Sequence, residues 1–289
     1  QTAALARGPS SPSRSVSKRS RCKATERQIG ENSMASTVVL EKSQVIWRLT
    51  LKRPEKRNAL NQDMKQALMS ALEECDSVGP EVLIISGAGD TFCAGQDLNE
   101  RKSQTDFDLE ASIRDFFAPL AMKIRQLECI TVASVSGAAS GAGASLALLC
   151  DIVVASKDAR FIQPFLKLGL IPDMGGTWVL PRLIGEARAR GAILLGDPIN
   201  GEEAADWGLI WKAVEKEDLE ATVDEIAERI CQNSKEACSA TKAIMQGSSS
   251  CSLEDHFVRE AQLQGRLGRS DFYKAAVERF FEKKRVPND

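Results

Sequence analysis

Three stretches of the chain combine residue types that can do chemistry. The first is Thr91-Phe92-Cys93-Ala94-Gly95-Gln96-Asp97-Leu98. Its Ala-Gly pair lets a ligand approach the backbone closely and exposes N–H donors. The second is Ser136-Gly137-Ala138-Ala139-Ser140-Gly141-Ala142-Gly143-Ala144-Ser145. It opens a helix, and amides at a helix N-terminus favour negative charge. It lacks the Gly-Lys-Ser/Thr ending of a Walker loop and does not read G-x-G-x-x-G. The third is Phe161-Ile162-Gln163-Pro164-Phe165-Leu166-Lys167-Leu168-Gly169-Leu170-Ile171-Pro172-Asp173-Met174-Gly175-Gly176-Thr177-Trp178. Asp173 is a lone carboxylate in an apolar, glycine-rich setting, which can raise a pKa towards that of a general base. Each stretch also has a plainer explanation: a tight turn, close helix–strand packing, and the cap of a following helix. Taken singly, none decides between chemistry and structure.

The elements around these stretches set their positions. Residues 38–40 and 45–51 read as strands, and a turn follows at 53–58. Met64, Ala67, Leu68 and Leu72 recur at helical spacing. The apolar runs 82–86 and 130–135 suit strands buried on both faces, with a helix at about 108–126 between them. The first chemical stretch follows one such strand and the second follows the other. A helix at about 142–150 precedes strands 152–155 and 160–162. This order predicts an α/β fold. Beyond about residue 185 the chain reads as mostly helix, at 187–195, 201–207, 219–231, 235–246, 253–267 and 270–282.

Composition excludes several function classes. The 289 residues, 43% hydrophobic, allow one large domain or two small ones and a sizeable core. The net charge of -2 hides an uneven spread. Residues 1–33 carry seven basic and two acidic side chains, a balance of +5, which leaves -7 for the rest. An acidic body does not bind nucleic acid by simple charge. No run of about 20 apolar residues is available to span a membrane. The Ser-, Arg-, Pro- and Lys-rich tail, 1–33, is predicted to be disordered. It reads as a transit peptide or as added sequence ahead of Met34. The expected location is cytoplasmic, or the mitochondrial matrix if the tail is a transit peptide. The eight cysteines form no C-x-x-C pair and read as reduced thiols of an intracellular protein. With His256 as the single histidine, a Ser-His-Asp triad must use it, and a two-histidine zinc site within one chain is excluded. His256 reads as a surface or packing residue, and no metal is expected.

Taken together, the three stretches resemble the crotonase (enoyl-CoA hydratase/isomerase) superfamily in order, spacing and flanks. Arg53-Pro54 before Asn58-Ala59-Leu60-Asn61, Cys150-Asp151, Leu180-Pro181-Arg182 and Ala204-Ala205-Asp206-Trp207-Gly208-Leu209 add to the likeness. The resemblance runs from about Val38 to Arg285. It implies a crotonase-like spiral of β-β-α units, with a core at 34–230 and a C-terminal helical trimerisation region at 231–289. It further implies homotrimers or dimers of trimers, and an acyl-CoA substrate with no separate cofactor. The backbone N–H groups of Gln96 and Ala142 would hold the thioester oxygen as it becomes an enolate. Lys56 and Arg57 would lie near the CoA phosphates. Ala59, Ala94, Asp97 and Leu98 would line the adenine and pantetheine, with Gly141, Ser145 and Phe165 at the acyl group. The basic C-terminal end, Lys283 to Arg285, either reaches CoA or is simply solvated.

Hydratases of this superfamily use two glutamates, and the matching positions here are Ser145 and Phe165. Hydration by that route is therefore disfavoured. Isomerases shuttle a proton with one acid, which falls here on Asp173, with Phe165, Leu170 and Trp178 expected around it. Phe92-Cys93-Ala94-Gly95-Gln96-Asp97-Leu98-Asn99, Lys167 to Asp173 and Gly268-Arg269-Ser270 resemble members that isomerise epoxyphenylacetyl-CoA or move enoyl double bonds. The expectation is an acyl-CoA isomerase. Hydratase-like or thioesterase activity, and a non-catalytic CoA-binding or interaction protein, are the alternatives.

Overall fold

The computed structural model describes residues 36–102 and 108–284. The tail, 1–33, lies outside them. The chain enters through an antiparallel hairpin, β1 (Val38–Glu41) and β2 (Ile46–Leu51), with Val38 opposite Leu51. Helix α1 (Gln62–Val78) follows. Asn61 caps it by accepting from the Met64 N–H at 3.0 Å. Its Met64, Leu68, Ala71, Leu72 and Cys75 recur on one face and are buried.

One unit then repeats three times: a long strand, a short strand and helix. The first comprises β3 (Val82–Gly87), β4 (Thr91–Cys93), α2 (Asn99–Lys102), α3 (Leu109–Ser112) and α4 (Ala118–Gln126). The second is β5 (Ile130–Val135), β6 (Ala138–Ser140) and α5 (Ala142–Leu148). The third is β7 (Ile152–Ser156), β8 (Arg160–Ile162) and α6 (Gly176–Leu195). The chain continues through β9 (Ile199–Asn200), α7 (Gly201–Asp206), β10 (Lys212–Val214) and α8 (Leu219–Cys231). It ends in α9 (Lys235–Gly247), α10 (Leu253–Leu267) and α11 (Asp271–Lys284).

The long strands build a six-stranded sheet, order β1-β2-β3-β5-β7-β10, parallel except at the first pair. The short strands build a second sheet, order β4-β6-β8-β9, parallel except at the last pair. Each unit therefore places one strand beside its predecessor in both sheets, which is the expected spiral of β-β-α units. Both faces of the larger sheet are covered, as parallel strands require. Leu83 and Ile85 face the main core with α1, while Val82, Ile84, Val132 and Val154 pack against Leu219, Val223 and Ala227 of α8.

Three local features depart from the sequence reading. Short strands β4 and β6 occupy stretches read as turns, because glycines and other small residues crowd both. The helix read at 108–126 contains a π turn at Ile113–Phe117, where the Ala118 N–H reaches back to the Ile113 carbonyl. Helix α6 begins at Gly176 and breaks at Gly185 (φ 72°, ψ 166°), so the piece read at 187–195 is its second half.

The C-terminal helices attach through polar contacts. Lys242 of α9, its side chain 5% exposed, ion-pairs with Asp151 at 2.8 Å and donates to the Cys129 carbonyl at 3.0 Å. The same Asp151 oxygen accepts from the Thr131 N–H and hydroxyl at 2.8 Å each. Gln246 donates to the Arg125 carbonyl at 2.8 Å. Helix α10 buries none of its residues, and Phe257, Val258, Tyr273, Phe280 and Phe281 are more than half exposed. Among the described residues, no helix is long and apolar enough to cross a membrane.

Removing one member of a buried pair leaves the other charge uncompensated, at a cost of about 3 kcal/mol. Lys242→Met is therefore expected to lower stability by about that amount in urea unfolding, with Lys242→Arg losing less.

Candidate active site

The first and second chemical stretches meet backbone to backbone. Gly95 has φ +88°, a left-handed conformation that side chains resist. A Cβ there would stand 2.7 Å from the Ser140 carbonyl oxygen and 3.3 Å from the Ala142 nitrogen. At Gly143, a Cβ would stand 2.3 Å from the Cys93 carbonyl oxygen. Only glycine permits either approach. Ala142 opens α5, so its N–H belongs to the first turn, where no intrahelical acceptor exists. Gln96 forms a parallel bridge with Leu60. That bridge runs through the flanking groups, the Leu60 N–H to the Gly95 carbonyl at 2.8 Å and the Asp97 N–H to the Leu60 carbonyl at 3.1 Å. The Gln96 N–H consequently points to the side opposite Leu60. Gln96 and Ala142 both line one cleft of about 160 Å³.

A latch fixes the Gly95 turn from below. Asn58 is fully buried with φ 53°. Its amide donates to the Ala88 carbonyl at 2.9 Å and the Thr91 carbonyl at 2.6 Å, and its oxygen accepts from the Arg53 N–H at 2.9 Å. The Arg53 guanidinium donates to Asp97 through two nitrogens at 3.1 Å each, and to the Ala59 carbonyl at 2.6 Å. The other Asp97 oxygen accepts from the Asn99 N–H and side chain at 3.0 Å each. Burial pushes the Asp97 carboxyl up, but the Asn99 hydrogen bonds and the Arg53 charge together outweigh it and hold it below the usual range. The Ala94 N–H completes the latch by donating to the Arg57 carbonyl at 3.0 Å. Arg53 and Asn58 were visible in the sequence as family marks, but nothing in their spacing revealed these bonds.

Asp173 lines the same cleft, with Leu98, Leu109, Ile113, Phe165, Leu168, Leu170 and Ile171. Met174 (φ 48°) and Gly175 (φ 78°) are consecutive left-handed residues that turn the chain sharply after Asp173. Gly175, with no side-chain bond, is the N-cap of α6, so the cap reading of Asp173 is replaced. The Asp173 backbone carbonyl accepts from the Gly176 N–H at 2.9 Å and from the Ser145 hydroxyl at 3.2 Å.

Several of the expected site residues lie outside the lining of this cleft. Ser145 is fully buried outside the cleft lining, where it ties α5 to the Asp173 loop. Asp97 and Ala59 are buried in the latch and do not line the cleft. Lys56 and Arg57 are exposed on the turn at Pro54–Lys56 and just after it, also outside the lining. Ala94, Leu98, Gly141 and Phe165 do line it. Trp178 stays outside, 42% exposed, because its face of α6 meets the Arg182 guanidinium 4.0 Å from the ring centroid.

The remaining reactive side chains stand apart. Cys93 lies directly behind the Gly95 turn, but burial pushes its thiol up to about 12. The same cause takes Cys150 to about 12. His256 pairs with Glu260 at 3.4 Å on α10 and lies outside the cleft lining. No cluster of three or more His, Cys, Asp or Glu side chains among the described residues is arranged to hold a metal.

Comparison with known proteins was made against this geometry. A profile of the family described as "Enoyl-CoA hydratase/isomerase" matches residues 41–288. The 1,2-epoxyphenylacetyl-CoA isomerase of Escherichia coli is 38% identical over 243 residues, 83% of this chain and 93% of the relative. A Rhodobacter capsulatus protein named "Probable enoyl-CoA hydratase" is 39% identical over 248 residues, 86% and 96% of the two chains. The structure of an enoyl-CoA hydratase from Bacillus anthracis superposes with a TM-score of 0.81 at 28% identity, covering 86% and 96%.

The latch generates an acid-sensitive stability term. Asp97 has a depressed folded pKa, so its contribution is fully present above the unfolded value near 3.8 and is lost as pH falls through the lower folded value. Asp97→Asn is expected to cost about 2 kcal/mol at pH 7, the scale of a charged hydrogen bond. In denaturant titrations, the gap between wild type and mutant should narrow steadily below about pH 4.

Proposed function

The chain belongs to the enoyl-CoA hydratase/isomerase family, and on that premise we propose that it is an acyl-CoA isomerase whose acid/base group is Asp173. The observation that carries this reading is the single carboxylate of the cleft. Asp173 is the only Asp or Glu among the described residues that line it. The substrate is an enoyl-CoA or a ring-epoxide CoA thioester. The name of the Escherichia coli relative supports the second, and CoA enters as part of the substrate with no separate cofactor.

On a 3-enoyl-CoA the thioester oxygen accepts hydrogen bonds from the Gln96 and Ala142 N–H groups. The Asp173 carboxylate takes a proton from C2, and the electron pair passes onto that oxygen as a dienolate. The two amides stabilise the developing charge without reorganising, each worth about 2.7–4 kcal/mol. Asp173 then returns the proton at C4 and the carbonyl re-forms. Phe165, buried in the lining, and the apolar side chains around it offer water no polar anchor beside the carbanion, which disfavours loss of the proton in transit. Adding water needs a group to activate it as well as one to deliver a proton. Ser145 and Phe165 occupy the positions matching the hydratase glutamates, and neither can do this. Relatives with hydratase names make water addition the competing outcome.

The reading includes a homotrimer or a dimer of trimers in the cytoplasm. The apolar side chains exposed on α10 and α11 support self-association, since such a surface is costly on a monomer. Light scattering at micromolar concentration should give about three or six times the 31.4 kDa chain mass. A monomer mass would overturn this part.

Asp173→Asn is expected to lower turnover of 3-enoyl-CoA and epoxyphenylacetyl-CoA by about 100-fold or more, with the fold and acyl-CoA binding retained. Near wild-type turnover in the mutant would exclude Asp173 as the proton carrier. Formation of 3-hydroxyacyl-CoA from a 2-enoyl-CoA at a comparable rate would favour the hydratase reading.

A further inference from the structure

The two backbone donors proposed for the cleft are held differently. The Ala142 N–H belongs to the first turn of α5, so the helix carries it. The Gln96 N–H belongs to the loop between β4 and α2, which pairs with Leu60 through two backbone bonds. Both bonds end on one residue, and two points fix only a line. The loop could still turn about that line and swing the Gln96 N–H. The Ala94 bond to the Arg57 carbonyl does not stop this, because Gly95 lies between and is free to pivot. A third point, on the Asp97 side, is needed to fix the direction of the N–H.

Arg53 supplies that point. Its guanidinium reaches Asp97, the residue after Gln96, through two nitrogens at 3.1 Å each, and the Ala59 carbonyl, one residue before Leu60, at 2.6 Å. It thereby joins the neighbours of both halves of the bridge. The Asn99 bonds to Asp97 cannot do so, since Asn99 is two residues along the same loop and moves with it. The next tie, from the Gln62 N–H to Glu100 at 2.8 Å, comes four residues beyond Gln96. Arg53 is itself fixed at the backbone: its N–H donates to the Asn58 side chain at 2.9 Å, and its carbonyl accepts from the Lys56 and Asn58 N–H groups at 2.9 Å each. The Arg53 side chain is 13% exposed and that of Asp97 6%, so water competes little for these bonds. Arg53 is not among the residues that line the cleft.

We propose that Arg53 is a positioning residue of the reaction: by pinning Asp97 to the Ala59 carbonyl it sets the direction of the Gln96 N–H, and with it the polarisation of the thioester carbonyl, without touching the substrate. This rests on the reading of the Gln96 and Ala142 N–H groups as donors to that carbonyl, and adds the residue that aims one of them. A donor acts on developing charge only when it stands about 2.7–3.1 Å from the oxygen. Misplacement by about 1 Å can cost about 100-fold in rate. A badly aimed Gln96 N–H weakens the transition state more than the bound substrate, so the loss falls on kcat and leaves KM nearly unchanged.

The test reads the carbonyl directly. Hexanoyl-CoA with an isotopically heavy thioester carbon has no double bond to move, and infrared difference spectra report its carbonyl stretch when bound to the full-length protein. In wild type the band is expected at lower frequency bound than free. Arg53→Met should lose half or more of that displacement, with hexanoyl-CoA affinity within about threefold of wild type and kcat on a 3-enoyl-CoA lowered about 10- to 100-fold. Arg53→Lys, which keeps the charge but not the planar fork, should lie between the two. Lys242→Met breaks another buried ion pair, the one with Asp151, and should leave the band where wild type has it. A wild-type band in Arg53→Met, or in Arg53→Lys should the first variant not fold, would overturn the proposal. So would an equal loss of displacement in Lys242→Met, which would mark general loosening. Failure of the underlying readings shows differently. No displacement in wild type would remove the donor pair and the proposal with it. Absent turnover of enoyl and epoxide thioesters, with the displacement present in wild type and lost in Arg53→Met, would remove the isomerase reading alone.

Discussion

Two backbone amides can share one oxygen only if their chain segments come within contact of each other, and side chains normally prevent that. The Gly95 turn and the start of α5 meet at a distance where a single Cβ would collide with the Ser140 carbonyl. Much of the sequence around the site follows from this contact. Gly95 and Gly143 are the points of closest approach, and the small residues from Ala138 to Ala144 keep the α5 end slender. Because the proposed donors belong to the backbone, Gln96 and Ala142 impose little on their own side chains. What must be exact is the path of the chain, and that demand passes to residues further away.

The latch meets that demand. Asn58, Arg53 and Asp97 do not line the cleft, yet they hold the turn from which Gln96 projects. A buried ion pair is a weak source of net stability, since desolvation offsets most of its attraction. Its use here is directional. Arg53 spans Asp97 and the Ala59 carbonyl at once, which sets the register between the two loops. Asn58 does the same for the segments at Ala88 and Thr91. On the far side, the Ser145 hydroxyl fixes the Asp173 backbone relative to α5. Each of the three segments that converge on the cleft is thus braced by a polar side chain outside it.

The legibility of the sequence followed the same division. Strand β5 and helix α10 matched the readings end for end, because an apolar run and a capped amphipathic stretch are local properties. The short strands β4 and β6 did not emerge, since they owe their existence to neighbours in the second sheet. The three chemical stretches were visible as compositions, but their convergence was carried by resemblance. No local signal told that Ser145 would turn from the cleft to the Asp173 backbone, or that Trp178 would stack under Arg182 at the surface. Side-chain direction depends on what lies across the gap, and a single sequence records that only indirectly.

The chemistry assigned to Asp173 depends on what its surroundings omit. A carboxylate that collects a proton from carbon must deliver it to another carbon before solvent competes. On the proposed reading, Phe165, buried in the lining beside Asp173, favours delivery by offering water no polar partner. A second carboxylate there would hold water, and water would open the route to addition. On the same reading, Ser145 and Phe165 disfavour that route in two ways: one bonds backbone instead of solvent, the other fills space with an aromatic ring. The proposed selectivity for moving a proton over adding water therefore rests less on Asp173 itself than on the two positions around it that cannot act as bases.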